Sequence, residues 1–135
     1  MATTFNVNPG NVEYPENDII PNCPVTAPNG DNTAIAGEII ASGPFYGLLQ
    51  FSVSDGDITG LVVRQNMRVN KTAAAISKHD PITFIDNPTA TKNDKFCRTA
   101  VATEEIHGYA LEDAALNSTD VLIYGPVAPP FAVVP

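Results

Sequence analysis

The chain has 135 residues, of which 44 % are apolar and only 16 % are charged, and its formal net charge is −8. This length suits one domain with an additional arm, and the apolar content excludes a chain that is disordered throughout. The acidic balance disfavours binding to nucleic acid or to an anionic membrane, because phosphate groups would repel the protein.

The charges are segregated along the chain. All seven Lys and Arg residues fall within residues 64–98, which carry a net charge of +4, whereas residues 1–63 carry −7 and residues 99–135 carry −5. Two interpretations are open: the acidic ends neutralise the basic centre within one subunit, or neighbouring subunits do part of this. In either case we expect the basic residues to meet acidic groups.

Residues 1–33 are predicted to form an extended N-terminal arm without a core of its own. Five of the twelve prolines fall in the first 28 residues, and proline suits neither a helix interior nor a central strand. The arm nevertheless contains apolar and aromatic side chains, for which a free linker has little use. We therefore expect it to lie along a partner surface, anchored by Phe5, Val7, Val12 and Tyr14.

Residues 34–125 are predicted to form the core domain, a small, mostly β sandwich or barrel of about seven short strands. The predicted strands lie within residues 34–41, 45–53, 58–69, 82–85, 95–102, 106–111 and 121–124, at spacings near ten residues. Polar and apolar residues alternate from Val63 to Val69, as in a strand with one buried face. One short helix is predicted at Lys71–Lys78, where Asn70 precedes an alanine run as an N-cap.

Residues 126–135 contain four prolines and are predicted to form a C-terminal tail. Both ends of the chain are acidic and rich in proline, so we expect both to reach past the subunit's own core. The N-terminus lacks the basic and apolar regions of a secretory signal, and no stretch of 18 apolar residues is present. We therefore expect synthesis in a cytosol and no membrane association.

The residues that carry metal or catalytic chemistry form no recognisable motif. The two histidines and two cysteines lack the close spacing of a zinc site, and no cofactor or metal is predicted. The segment Asp55-Gly-Asp57 is too short for a calcium loop and is predicted to be a hairpin turn. Cys23 and Cys97 are expected to be free thiols in a reducing cytosol.

One enzyme hypothesis uses Cys97 as a nucleophile and His107 as its base, with Asp80 or Glu105 orienting the ring. However, Cys97 lies within a predicted strand, where a buried structural thiol is the expected occupant. We therefore predict that the protein is not an enzyme.

Three passages, taken in order, resemble the head-decoration (capsid cement) proteins of tailed bacteriophages. The first is Ala41–Leu49 and the second is Val69–Asp86, which contains the alanine run. The third is Ile106–Ala115, followed by Thr119–Tyr124, and is similar to their Gly-x-Ala-Leu-Glu segment before a last strand. The likeness covers roughly residues 34–125 and not the arm. It departs at His79-Asp-Pro81, where the family often has a glycine.

The resemblance implies a compact β domain with a short helix that assembles as a homotrimer on the outer surface of the virion. It implies a structural role: made in the host bacterial cytoplasm, the protein would bind the expanded capsid and bridge neighbouring major capsid subunits. Two alternatives stay open, a soluble carbohydrate- or receptor-binding module and a structural component of a phage tail or head fibre. The lack of tryptophan disfavours carbohydrate binding.

Overall fold

The computed structural model describes residues 18–27, 33–63, 66–88 and 94–135. Within these ranges the chain is nearly all β, which confirms the predicted class of a small, sandwich-like β domain. The strands are β1 (Ile19–Pro24), β2 (Thr33–Ala34), β3 (Ile39–Ser42), β4 (Phe45–Leu49), β5 (Val53–Ser54), β6 (Ile58–Val62), β7 (Asn66–Asn70), β8 (Pro81–Asp86), β9 (Lys95–Thr99), β10 (Gly108–Ala110) and β11 (Asp120–Tyr124). Three of the predicted strands are each divided into two shorter ones.

Nine strands form one antiparallel sheet, in the order β1-β6-β4-β3-β9-β8-β10-β11-β7. A parallel bridge between Lys71, directly after β7, and Cys97 of β9 brings the last strand of this order back to the middle of the sheet. Strands β9, β8, β10, β11 and β7 therefore surround a barrel-like core. The alternation predicted from Val63 to Val69 is confirmed over its described part from residue 66 onwards, because Met67 and Val69 are buried in β7 while their neighbours are exposed.

The part of the nine-stranded sheet that consists of β1, β6, β4 and β3 packs on a second, smaller core. Strands β2 and β5 form a separate two-stranded sheet, and Ala34 of β2 is buried in this second core with Ile40, Leu49 and Leu61. Close packing of β4 on β6 requires a glycine at position 47, because a Cβ there would overlap the side chain of Leu61.

The predicted helix at Lys71–Lys78 is wrong: these residues form turns and isolated bridges. The Thr72 amide donates to the Cys97 carbonyl (3.0 Å), and Ile76 exchanges two backbone hydrogen bonds with Ala114 (2.9 and 2.8 Å). A helix of two turns is marginal in water even with alanines. Backbone partners from other parts of the chain therefore prevail over the local helix propensity.

The predicted arm does not remain separate from the core as far as residue 33. Residues 19–24 form β1, which pairs with β6 through Ile19–Val62 and Cys23–Thr59, with a bulge at Asn22, whose φ is 58°. Cys23 is buried in the second core. This stretch is extended as its prolines suggest, but it lies on the chain's own sheet, so the domain begins well before residue 34.

The C-terminal tail also lies on the chain's own domain. Val133 forms a bridge with Glu105. The Val134 amide donates to the Glu104 carbonyl (3.0 Å), and the Val134 carbonyl accepts from the Thr103 amide (2.8 Å). The Ile106 amide donates to the carbonyl of residue 132 at 2.8 Å. The expectation that this end reaches past the core is therefore wrong.

Candidate functional site

The predicted anchor residues Phe5, Val7, Val12 and Tyr14 lie outside the described residues. Their point of attachment is defined, because the Val63 amide donates to the Asp18 carbonyl oxygen at 2.7 Å. Asp18 directly precedes β1, an end strand of the large sheet. Residues 1–17 therefore join the domain beside the end of β6.

The second and third passages of the resemblance pack against each other. Besides the Ile76–Ala114 bridge, the Lys78 amide donates to the Asp113 carboxylate (2.8 Å), and the His79 amide donates to the Ala110 carbonyl (2.8 Å). His79 has a φ of 73°, a left-handed conformation that is found in turns. The connection from β7 to β8 is thus fixed by the connection from β10 to β11.

Lys71 is a charged side chain inside the domain, with only 4 % of its surface exposed. Its Nζ donates to the carbonyl oxygens of Thr72 (3.0 Å), Ser118 (3.0 Å) and Leu116 (3.4 Å). These bonds join the end of β7 to the loop before β11. This role was not predicted from the sequence, because Lys71 lies in the predicted helix. Buried residues alternate with exposed ones in β7, so continuing the pattern two residues past Val69 would have placed Lys71 on the buried face.

An apolar groove of about 780 Å³ lies beside Lys71. It is lined by Ile85 of β8 and its cross-strand partner Phe96 of β9, and by Arg98. Residues 70–73 and 116–119 also line the groove, and Leu116 is 62 % exposed. The volume falls within the range of about 300–1,000 Å³ that is common for ligand pockets.

Basic residues of the centre pair with acidic residues from the C-terminal part of the same chain. Arg68 bonds to Glu112 (3.2 Å) and Asp120 (3.1 Å), and the Arg98 guanidinium binds Glu104 through two hydrogen bonds (2.7 and 2.5 Å). The Arg98 bonds lower the pKa of Glu104 to about 2. For these residues the expectation of acidic partners is confirmed, and the partners lie within one subunit.

The structure does not bring Cys97 and His107 together as a catalytic pair. Cys97 is fully buried, as predicted, and burial raises its pKa to about 12, which disfavours the thiolate that a nucleophile needs. The His107 Nδ1 accepts a hydrogen bond from the Phe84 amide (3.0 Å), and its Nε2 lies 3.6 Å from the Glu105 carboxylate. Asp80 instead binds Thr99 (3.0 Å).

The His107 ring forms part of an aromatic cluster that holds the C-terminal tail. It stacks on Phe84 with ring centres 5.5 Å apart and lies 4.7 Å edge-on from Phe131 of the tail. Tyr46 packs against the rings of both His107 and Phe131. Burial lowers the pKa of His107, although nearby Glu105 acts in the opposite direction. The neutral ring therefore suits a packing role.

The segment Asp55-Gly-Asp57 is a turn, but the predicted hairpin is wrong. The Asp57 amide donates to the Ser54 carbonyl (3.0 Å), which closes the turn. However, β5 pairs with β2, whereas β6 pairs with β1 and β4. The turn therefore joins two different sheets.

Among the described residues, no three metal-ligating side chains come together, and no helix is long and apolar enough to cross a membrane. Both cysteines are free, as predicted, and Cys23 is buried like Cys97. Comparisons of the chain with protein-family models, with curated proteins and with solved structures found no match.

Proposed function

We propose that the protein is a structural virion protein that binds the outside of an expanded bacteriophage capsid and bridges neighbouring major capsid subunits. The observation that carries this proposal is the packing of the second passage against the third, through Ile76 and Ala114. Passages that form one unit in the fold are better support for a family likeness than passages scattered over the surface.

The mechanical design of the domain supports this role. The Lys71 ammonium and the Arg98–Glu104 pair join segments that are distant in sequence, and the C-terminal tail is bonded to residues 103–106. A cement protein needs a domain that keeps its shape under load, together with surfaces for its neighbours. Large apolar side chains that the single subunit leaves exposed, such as Phe51 (52 %) and Ile58 (67 %), are candidates for such contacts.

The N-terminal segment is assigned the role of a capsid-binding arm in this proposal. Extended segments bind by adding to sheet edges and by placing alternate side chains in pockets, and Phe5, Val7, Val12 and Tyr14 supply such side chains. On a capsid lattice, the arm and the domain would bind together, which raises avidity without strong single contacts. Assembly as a homotrimer would raise it further.

The test is co-sedimentation of the purified protein with expanded, undecorated heads, and unexpanded heads are the control. We expect saturable binding to the expanded heads alone. A truncation of residues 2–17, which leaves β1 intact, should weaken binding at least tenfold. If the complete protein does not bind expanded heads, the function is wrong, and if the truncated protein binds equally well, the role of the arm is wrong.

A carbohydrate-binding module is the second candidate, and one observation favours it. Tyr109 and Tyr124 are cross-strand partners of β10 and β11, and both are partly exposed (42 % and 44 %). Adjacent aromatic rings on an open sheet face can stack on sugar rings. Glycan-array binding that is lost in Tyr109→Ala and Tyr124→Ala, without loss of fold, would favour this candidate over the capsid role.

A further inference from the structure

We propose that the apolar groove beside Lys71 binds the chain's own N-terminal segment, residues 1–17, within the same subunit. This inference goes beyond the proposed function and does not depend on it. It rests on three properties of the groove: its distance from Asp18, its apolar lining and its charge.

The segment is long enough to reach the groove. Asp18 is hydrogen-bonded to Val63, and Asn70, which lines the groove, is seven residues further along the chain. Seven residues span at most about 25 Å, whereas the 17 residues before Asp18 can span about 56 Å. The segment can therefore cross the distance and still run along the groove.

The apolar character of the segment matches that of the groove. Leu116 is exposed and Ile85 and Phe96 are half-buried, so the described residues leave apolar surface open in the groove. The segment carries two aromatic and two branched anchors, Phe5, Tyr14, Val7 and Val12, spread over ten residues. Covering exposed apolar surface on both partners favours association at roughly 25 cal/mol per Å².

The charges are also complementary. Residues 1–17 contain two acidic side chains, Glu13 and Glu16, and no lysine or arginine. The groove is lined by Lys71 and by Arg98, and the guanidinium of Arg98 is already paired with Glu104. Within the described ranges, the Lys71 ammonium is bonded to carbonyl oxygens and to no carboxylate, so its positive charge is not neutralised by an acid. An acidic segment is therefore favoured over a basic one.

Tethering makes even a weak contact effective. A segment that is joined to the domain at Asp18 meets the groove at a local concentration in the millimolar range, set by its length. The same apolar anchors that are assigned to the capsid would then be covered in the free protein. Docking in the groove would keep them from promoting association before a partner is met.

The experiment compares ¹⁵N-labelled full-length protein with the truncation of residues 2–17 by NMR. We expect the truncation to shift the amide resonances of Ala73, Phe96 and Leu116, and a synthetic peptide of residues 1–17 to reverse these shifts. Leu116→Asp should weaken peptide binding at least tenfold. Ile58→Asp is the matched control, because the exposure of Ile58 (67 %) is close to that of Leu116 (62 %) and Ile58 does not line the groove, and it should leave peptide binding unchanged.

Three results would overturn the proposal. The first is that the groove resonances do not respond to the truncation, and the second is that the peptide binds elsewhere or not at all. The third is that the full-length protein has a larger particle mass at high concentration, and that dilution removes both this larger mass and the shifts of the groove resonances. The last result would assign the groove to the segment of a second copy. Co-sedimentation with heads is measured separately, so docking in the groove and capsid binding can each fail without the other.

Discussion

Replacing Lys71 should destabilise the domain, because three backbone carbonyls would lose a buried donor. Hydrogen bonds to charged groups contribute about 1.5–3 kcal/mol each. Counting the two bonds of 3.0 Å at the lower value and ignoring the longer one, we expect Lys71→Ala to lower the free energy of unfolding by about 3 kcal/mol. For a chain of 135 residues, this corresponds to a fall in Tm of about 10 °C.

Lys71→Met separates the hydrogen bonds from the packing of the side chain. Methionine retains an apolar stem of similar length but leaves the carbonyls of Thr72 and Ser118 without the ammonium. Burying a charge is itself costly, and replacing a whole buried ion pair by apolar groups is often neutral. Here only the donor is replaced, so we expect Lys71→Met to lose stability as well.

Urea unfolding, followed by circular dichroism, measures both variants. Lys78→Ala is the matched control, since this lysine is exposed and should change the free energy of unfolding by less than about 0.5 kcal/mol. If Lys71→Met is as stable as the unmodified protein, the carbonyls do not depend on the ammonium and the reasoning is refuted.

Three further predictions concern buried positions elsewhere in the fold. Because the pKa of Cys97 is raised, the contribution of its thiol to the free energy of unfolding is fully present below pH 9 and is lost as the pH rises towards 12. Cys97→Ala should reduce this loss. The thiol should also resist alkylation at pH 8 until urea unfolds the protein. The lowered pKa of His107 means that the unfolded chain takes up the proton more readily, so stability is complete above pH 6.5 and falls below it. A His107→Gln variant whose urea midpoint falls just as steeply below pH 6.5 would contradict this. Gly47→Ala should lower the free energy of unfolding, measured in urea, by about 2 kcal/mol, because the added Cβ would overlap the side chain of Leu61. An unchanged urea midpoint would show that β4 can move away from β6.

Local sequence patterns predicted the elements whose structure is decided locally. The alternation before Val69 identified β7, and the Asp55-Gly-Asp57 cluster identified a turn. The same patterns did not predict which strands this turn connects, because the partners of β5 and β6 are set by contacts far along the chain. An arm with several prolines likewise gives no local sign that residues 19–24 pair with β6.

The alanine run shows why the site was harder to predict than the class of fold. Three alanines after Asn70 favour a helix locally, yet Ile76 is held by Ala114 and Lys71 by carbonyls at 116 and 118. Tertiary contacts override a weak propensity when the segment is only two turns long. The groove could not be predicted either, because its lining comes from segments that are distant in sequence.

The pairing of β1 with β6 determines how the domain would carry tension from its N-terminal segment. Force on residues 1–17 enters at Asp18 and first reaches its bond with Val63 and the pairing of Ile19 with Val62. A pull along the axis of β1 loads the bonds of the ladder together, in shear. A pull away from the sheet edge opens them one after another, from Asp18 towards Cys23. The strength of the junction therefore depends on the direction of the load, and single-molecule pulling from the two directions would measure that anisotropy.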